Sequence, residues 1–419
     1  MDINSLLGAP KACECGKEHG CDIKSVVIEK NAVAKIPELA KGYNGILLVA
    51  DRNTYRVCGK SVEALNIHKD ILVFDCEGLV IPNEKAWEEI QRRVTDEIDL
   101  IIGIGSGVIQ DLCKYVSFLC KIDYFIVATA PSMDGYASVG AAMIANDMKV
   151  TFSAHVPKAI IADTDVLRES PMEMIVAGYG DIIGKYSCLN DWKLSSIVNG
   201  EYFCQSVYDL MMSAVKAVRP LSKKLLERDG EAVGALMEAL VVAGIAMSYV
   251  GNSRPASGSE HHLSHYFEIT GILENADYFP HGIDVAYSTV ITERLREELL
   301  ALKELPTSWE FDREKWENNI RSLYHRAADG VIALQDKMGW YQKDYLSVYR
   351  EKWAEICAVI SEVPSSKELE ALFGEVGLTM DKFYAMYGEK KVGDAVMYAK
   401  DLKDRYSVLW LYDLIKEAK

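Results

Sequence analysis

The chain has 419 residues, 49% of them hydrophobic and 26% charged, with a formal net charge of −16. One hydrophobic core rarely grows past about 250–300 residues, so this length predicts two domains. A chain this acidic repels phosphate backbones and anionic lipid, which argues against nucleic acid or a membrane surface as its partner.

Met1-Asp2-Ile3-Asn4 leads into no basic and apolar run, so no secretory leader is expected. Cys13-Glu14-Cys15-Gly16 follows, with His19 and Cys21 close behind. Thiolates and imidazole are zinc's usual ligands, but no second ligand pair at knuckle spacing stands elsewhere; a packed or mobile lead-in is the expectation. The remaining cysteines are scattered, several in apolar segments (Cys113, Cys120, Cys204, Cys357), where they read as small buried hydrophobes. Scattered thiols without a disulfide framework suggest a reducing, cytoplasmic home.

Short β-branched runs then alternate with amphipathic stretches. Strands are predicted at 25–28, 45–50, 71–74, 100–104 and 124–128, with helices at 53–65, 84–95 and 108–119. Such alternation implies crossover helices and an open parallel sheet. Asp51 ends the second strand, where a carboxylate can accept bonds from an adenosine ribose or cap the following helix. The run at 100–104 enters Gly105-Ser106-Gly107, a turn that would let a diphosphate meet the amides opening a helix at Val108 and Ile109. After the fifth strand, Thr129-Ala130-Pro131-Ser132 and Asp134 lie at the same carboxyl edge, where ligands of such sheets collect.

Segment 137–163 reads as a hairpin turning at Asn146-Asp147, followed by a buried strand at 159–162. Beyond Pro171 helices take over, at 172–187, 201–218, 230–249, 260–269 and 283–299. The expected organisation is a dinucleotide-binding α/β domain at 1–166 and an all-helical metal- and substrate-binding domain at 167–419. The longest apolar stretch, 239–250, is interrupted by Gly244 and reads as too short to enter a membrane.

The helical part holds a second constellation. His261 and His265 are four apart and share a helix face, whereas His262 points elsewhere; His281 opens a further helix. Asp181, inside an apolar, glycine-flanked helix, is costly to bury unless paired or metal-bound. Two imidazoles and a carboxylate suit zinc, nickel or iron(II).

Together these motifs resemble the sn-glycerol-1-phosphate dehydrogenases, within the iron-containing alcohol dehydrogenases and dehydroquinate synthases. The resemblance spans about residues 13–290. It rests on Cys-x-Cys-Gly-x-x-His, the Gly-Ser-Gly turn, Ala-Pro-Ser-Met-Asp-Gly-Tyr-Ala-Ser (130–138), Gly-Asp-Ile-Ile-Gly-Lys-Tyr and Asn-Ser-Arg-Pro-Ala-Ser-Gly-Ser-Glu-His. It implies Asp181, His261 and His281 as metal ligands, and Gly105 to Ile109, Thr129 to Ser132 and Ser138 as dinucleotide contacts. It further implies Asp134, His265 and Asp181 as substrate contacts. The implied reaction is hydride transfer between NAD or NADP and C2 of dihydroxyacetone phosphate, with nickel or zinc ahead of iron. His265 is then expected to shuttle the hydroxyl proton, and Asp134 to orient another substrate hydroxyl. Lys185 and Arg254 are nominated for the phosphate, with a structural ion pair as the alternative.

One departure stands after His281. The family pattern His-Gly-x-x-Val-Gly-x-Gly-Thr is here His281-Gly282-Ile283-Asp284-Val285-Ala286-Tyr287-Ser288-Thr289, adding bulk and a carboxyl near a ligand. A dehydrogenase for another small polyol or ketone is the alternative this raises. A dehydroquinate-synthase-like lyase and a metal-binding protein with a decayed site rank below it. Relatives assemble as dimers or larger, so a homo-oligomer is expected by analogy.

Overall fold

The computed structural model describes residues 2–75, 78, 80–145 and 148–417. The chain divides into two compact units, Met1–Ile182 with Ser213–Asn252, and Ile183–Met212 with Ser253–Lys419. The sequence suggests a single break near 164–171; instead the chain passes between the units more than once, because one long helix runs on past Ile182 and a later apolar helix belongs with the sheet.

In the first unit, strands β1 (Gly8–Ala12) and β2 (Glu18–Cys21) form an antiparallel hairpin. The main sheet takes β3 (Ser25–Glu29), β4 (Ile46–Asp51), β5 (Asp70–Phe74), β6 (Leu100–Gly105) and β7 (Asp123–Ala128). A second antiparallel hairpin, β8 (Gly140–Ala145) with β9 (Met148–Ser153), precedes β10 (Ala159–Asp163), which returns to the main sheet. The turn expected at Asn146-Asp147 lies outside the described residues. The six-stranded order is β3-β10-β7-β6-β4-β5, with every pairing parallel. Strands β6 and β10 are buried along their whole length, as continuous apolar runs require when helices cover both faces. Edge strand β5 is mostly half-buried. Helix α1 (Glu84–Arg93) is capped by the Asn83 side chain, which accepts from Ala86 N at 3.3 Å. Helix α2 (Gly107–Cys120) follows β6 directly.

Helix α3 (Met172–Asn199) runs unbroken across the division, well past the 187 expected, and α4 (Gln205–Val218) follows. Helix α5 (Gly230–Val250) corrects the reading of the apolar stretch. It has 21 residues and a mean hydropathy of 1.9, so by length and composition it could cross a membrane. Yet 72% of its apolar window is buried, and the helix packs on β2 and β3 as a core element.

In the second unit, α6 (Ser259–Glu274) and α7 (His281–Leu300) pack side by side. The C-terminal third, which carries no legible motif, supplies this unit's aromatic core, with Tyr324, Tyr349, Tyr406 and Trp410 fully buried. None of the nine described cysteines is in a disulfide; Cys113 and Cys204 are buried as expected, whereas Cys120 and Cys357 are partly exposed.

Candidate functional site

From β4 the chain steps outward to β5, then returns to β6 on the other side of β4. This reversal opens a crevice at the carboxyl ends of β4 and β6, the usual seat of a nucleotide in a doubly wound sheet. Ala50 pairs with Ile104, so Asp51 and Gly105 leave adjacent strands at that crevice. Asp51 caps the following helical run: its Oδ1 accepts from Asn53 N at 2.7 Å and Thr54 N at 2.9 Å. Both bonds fall on one oxygen. Gly105-Ser106 makes the turn and Gly107 starts α2, so Val108 and Ile109 lie in the first helical turn with its unsatisfied amides.

The loop after β7 is tied to the same place. Thr129 N donates to Gly105 O at 3.1 Å, and Tyr136 Oη donates to Ala130 O at 2.6 Å. Two buried residues of α2 hold its far end. Gln110 Nε2 donates to Gly135 O (2.8 Å) and Tyr136 O (3.0 Å), while Lys114 Nζ donates to Gly140 O (2.7 Å) and lies 3.3 Å from Ser138 Oγ. Ser138 also donates to Gly135 O at 3.0 Å, so its hydroxyl helps shape the loop. Neither Gln110 nor Lys114 was found from sequence; a lysine and a glutamine on an apolar helix were the available signal.

Asp181 is fully buried within α3, away from both ends of the helix. Its Oδ2 accepts from the Asp134 backbone N–H at 3.0 Å. The first unit therefore brings together two residues predicted from motifs far apart in sequence. One turn earlier, a Cβ on Gly178 would stand 1.9 Å from the Pro131 carbonyl oxygen. Gly178→Ala should thus displace backbone in the Thr129–Ser132 segment and cost about 1–3 kcal/mol, read as a lower thermal midpoint with weaker dinucleotide binding. Unchanged melting and binding would contradict this close packing.

The second unit gathers the predicted histidines. Ring centroids lie 5.0 Å apart for His261 and His281, 5.5 Å for His265 and His281, and 6.1 Å for His261 and His265. His261 and His281 can each offer a ring nitrogen within 4.8 Å of the other. His262 points elsewhere, as expected, and is fully buried; burial, then the Arg405 charge, hold its imidazole well below the usual range. The His261 tautomer is set by a neighbour. Glu260 Oε1 lies 2.6 Å from His261 Nδ1 and accepts from Gly258 N at 2.9 Å. Burial pushes the Glu260 carboxyl up, but the bonds from His261 and Gly258 outweigh it and bring the group below its ordinary value. A carboxylate on Nδ1–H leaves Nε2 as a lone-pair donor, the usual support of a metal-ligating histidine. Ser264 Oγ lies 3.3 Å from His281 Nδ1.

Asp191 anchors this arrangement. Its Oδ2 accepts from Ser259 N at 2.6 Å, at the first residue of α6, and its Oδ1 accepts from Val408 N and Arg296 Nη2, both at 2.9 Å. The second half of α3 docks beside both histidine helices. Ser187 Oγ lies 3.1 Å from Ser259 Oγ and from Thr292 Oγ1, and Lys185 Nζ donates to Ala256 O at 2.9 Å. Asp181 stands one turn before Lys185 on that same helix.

Two expectations change. Arg254 is buried, with a fork on Glu201 (2.9 and 2.8 Å) and a bond to Tyr406 O at 2.6 Å. It forms the structural ion pair and is withdrawn from the phosphate set. Asp284 brings no bare charge near His281. Both its oxygens accept from Tyr387 Oη (2.8 and 2.9 Å), and burial holds its carboxyl well above the usual carboxylate range. Ala286 and Ser288 in the same run are likewise fully buried.

Comparison with known proteins gives a consistent picture. Residues 27–171 match the family model described as iron-containing alcohol dehydrogenase. The chain is 29% identical to the NAD(P)+ glycerol-1-phosphate dehydrogenase of Halalkalibacterium halodurans, over 97% of this chain and 98% of that one. It is 32% identical to the enzyme of that name from Geobacillus thermodenitrificans, over 80% of this chain and 88% of that one. Among solved structures, an iron-containing alcohol dehydrogenase from Thermococcus thioreducens shares the fold, with a TM-score of 0.60 at 15% identity, covering 96% of this chain and 94% of that one.

Proposed function

The chain belongs to the glycerol-1-phosphate dehydrogenase family, and from that premise we propose that it interconverts dihydroxyacetone phosphate and sn-glycerol 1-phosphate by hydride transfer with NAD or NADP. The observation that carries this reading is the convergence of His261, His265 and His281, with the His261 tautomer fixed by the Glu260 carboxylate.

Asp181, His261 and His281 would hold one divalent ion, and their donor chemistry suits nickel or zinc ahead of iron. When bound, that ion would polarise the substrate oxygen and the nicotinamide would carry the hydride. The Asp134 amide fixes the orientation of the Asp181 carboxylate. The His265 ring takes up or returns the proton of the C2 hydroxyl, a task suited to a group titrating near neutrality. The Asp134 carboxylate orients the neighbouring hydroxyl, and Lys185 serves the phosphate. The turn at Gly105, Ser106 and Gly107, with Val108 and Ile109, receives the diphosphate at the head of α2, flanked by Thr129, Ala130, Pro131 and Ser132; Ser138 supports that loop. The second oxygen of Asp51 would accept from the adenosine ribose and disfavour a 2′-phosphate. Cytoplasmic location and homo-oligomeric assembly complete the reading; light scattering of the full chain tests the latter.

The test is NADH oxidation by metal-stripped enzyme reconstituted separately with nickel, zinc and iron(II), with dihydroxyacetone phosphate as substrate. Turnover that requires metal and yields the sn-1 enantiomer is expected. Turnover on unphosphorylated dihydroxyacetone but not on the phosphate would replace this substrate with another small ketone.

A further inference from the structure

The sheet and the histidine cluster leave one group of soft donors unused: Cys13, Cys15 and His19 on the hairpin of β1 and β2. The loop between the strands is tightly made. Cys13 N donates to Lys17 O at 2.9 Å and Gly16 N donates to Cys13 O at 3.0 Å. Gly16 adopts φ +83°, a left-handed conformation that glycine takes without strain. This turn presents both cysteines from one short loop beside the histidine of β2. Cys15 Sγ lies 3.3 Å from His19 Nε2. Zinc bonds of roughly 2.3 Å to sulfur and 2.0 Å to nitrogen in a tetrahedron place two such donors about 3.5 Å apart, so the spacing suits a shared ion.

The orientation of His19 is a separate observation. Its Nδ1 lies 2.8 Å from the Tyr249 carbonyl oxygen, and its ring stacks on Tyr249 with centroids 5.4 Å apart. A carbonyl accepts only, so Nδ1 carries the proton and Nε2 turns its lone pair toward Cys15. Backbone carbonyls set the tautomer of zinc-binding histidines in this way. His19 is buried, so an ion held there would be shielded from bulk water. Cys21 is not among these donors; its thiol is buried, and burial pushes its pKa up.

We propose that Cys13, Cys15 and His19 bind a structural zinc ion, separate from the ion of the reaction. The site clamps the N-terminal hairpin, in a region where β1 is exposed along its whole length and has little core of its own. Thiolates joined by an imidazole are a usual donor set of structural zinc.

The experiment is cobalt(II) substitution of the full-length protein, with metal content measured per chain. The wild type should take up a second equivalent of ion and show strong near-ultraviolet thiolate-to-cobalt absorption. His261→Ala should lose the reaction's ion and keep that absorption. The double variant Cys13→Ser/Cys15→Ser, and separately His19→Ala, should lose it. A wild type without the thiolate band, or a band that survives in the double variant, would overturn the site. If the double variant does not fold, the wild-type and His261→Ala spectra still decide.

Discussion

Replacing His261 by alanine should lower kcat/KM for dihydroxyacetone phosphate on the order of 10³-fold or more, with loss of the ion of the reaction. A Lewis acid on the substrate oxygen is worth several kcal/mol of transition-state stabilisation, and each 1.36 kcal/mol is tenfold in rate, which sets that scale. Glu260→Gln gives a graded companion. The amide oxygen can still accept from His261 Nδ1, yet the charge that raises the ring's basicity is gone. Metal affinity should fall about 10–100-fold, as for other outer-shell partners, with a smaller loss of rate when metal is saturating. Isothermal titration of stripped protein with the competent metal checks both variants. Wild-type affinity in His261→Ala would remove this histidine from the ligand set.

The second large effect is on stability. Asp191 and Arg296 are both fully buried and joined at 2.9 Å. Removing one partner of such a pair leaves the other charge without compensation, a loss of about 3–5 kcal/mol. Asp191→Ala would also orphan Ser259 N and Val408 N. Denaturant unfolding should therefore show a midpoint far below wild type, and Asp191→Asn, which keeps the shape, should fall between the two. Because Ser259 opens the helix that carries His261 and His265, metal affinity should weaken in parallel with stability. A change under about 1 kcal/mol would show that the pair is not the anchor its geometry suggests.

Much of the first unit was legible because its signals are local. Apolar runs of strand length marked β4, β6, β7 and β10 to within a residue or two, and the glycine turn marked the start of α2. The histidines were legible because their i, i+4 spacing survives in the fold and His281 does open a helix. What escaped depends on partners distant in sequence. Glu260 carries no local signal of its role, which depends on the His261 ring beside it in the fold. Arg254 looked like a phosphate ligand because nothing local revealed Glu201 and the Tyr406 carbonyl. Asp284 looked like a charge beside the site, whereas Tyr387, more than a hundred residues later, holds it in an apolar setting. Helix α5 was placed almost to the residue at 230–249, but its apolar run was underread because Gly244 was taken to interrupt it, although the helix runs through it.

The bonds of Asp191 also bear on how the protein is made. Its partners lie 68, 105 and 217 residues further along the chain. A ribosome delivers the sheet strands early, and their neighbouring pairings can form while synthesis continues. The Val408 amide emerges 217 residues after Asp191 itself. Until then the helices bearing His261 and His281 lack one of the ties that fix them, so the histidine cluster becomes competent only after residue 408 has been made. A chain cut short before residue 408 would keep every proposed ligand of the reaction's ion and yet hold that ion poorly.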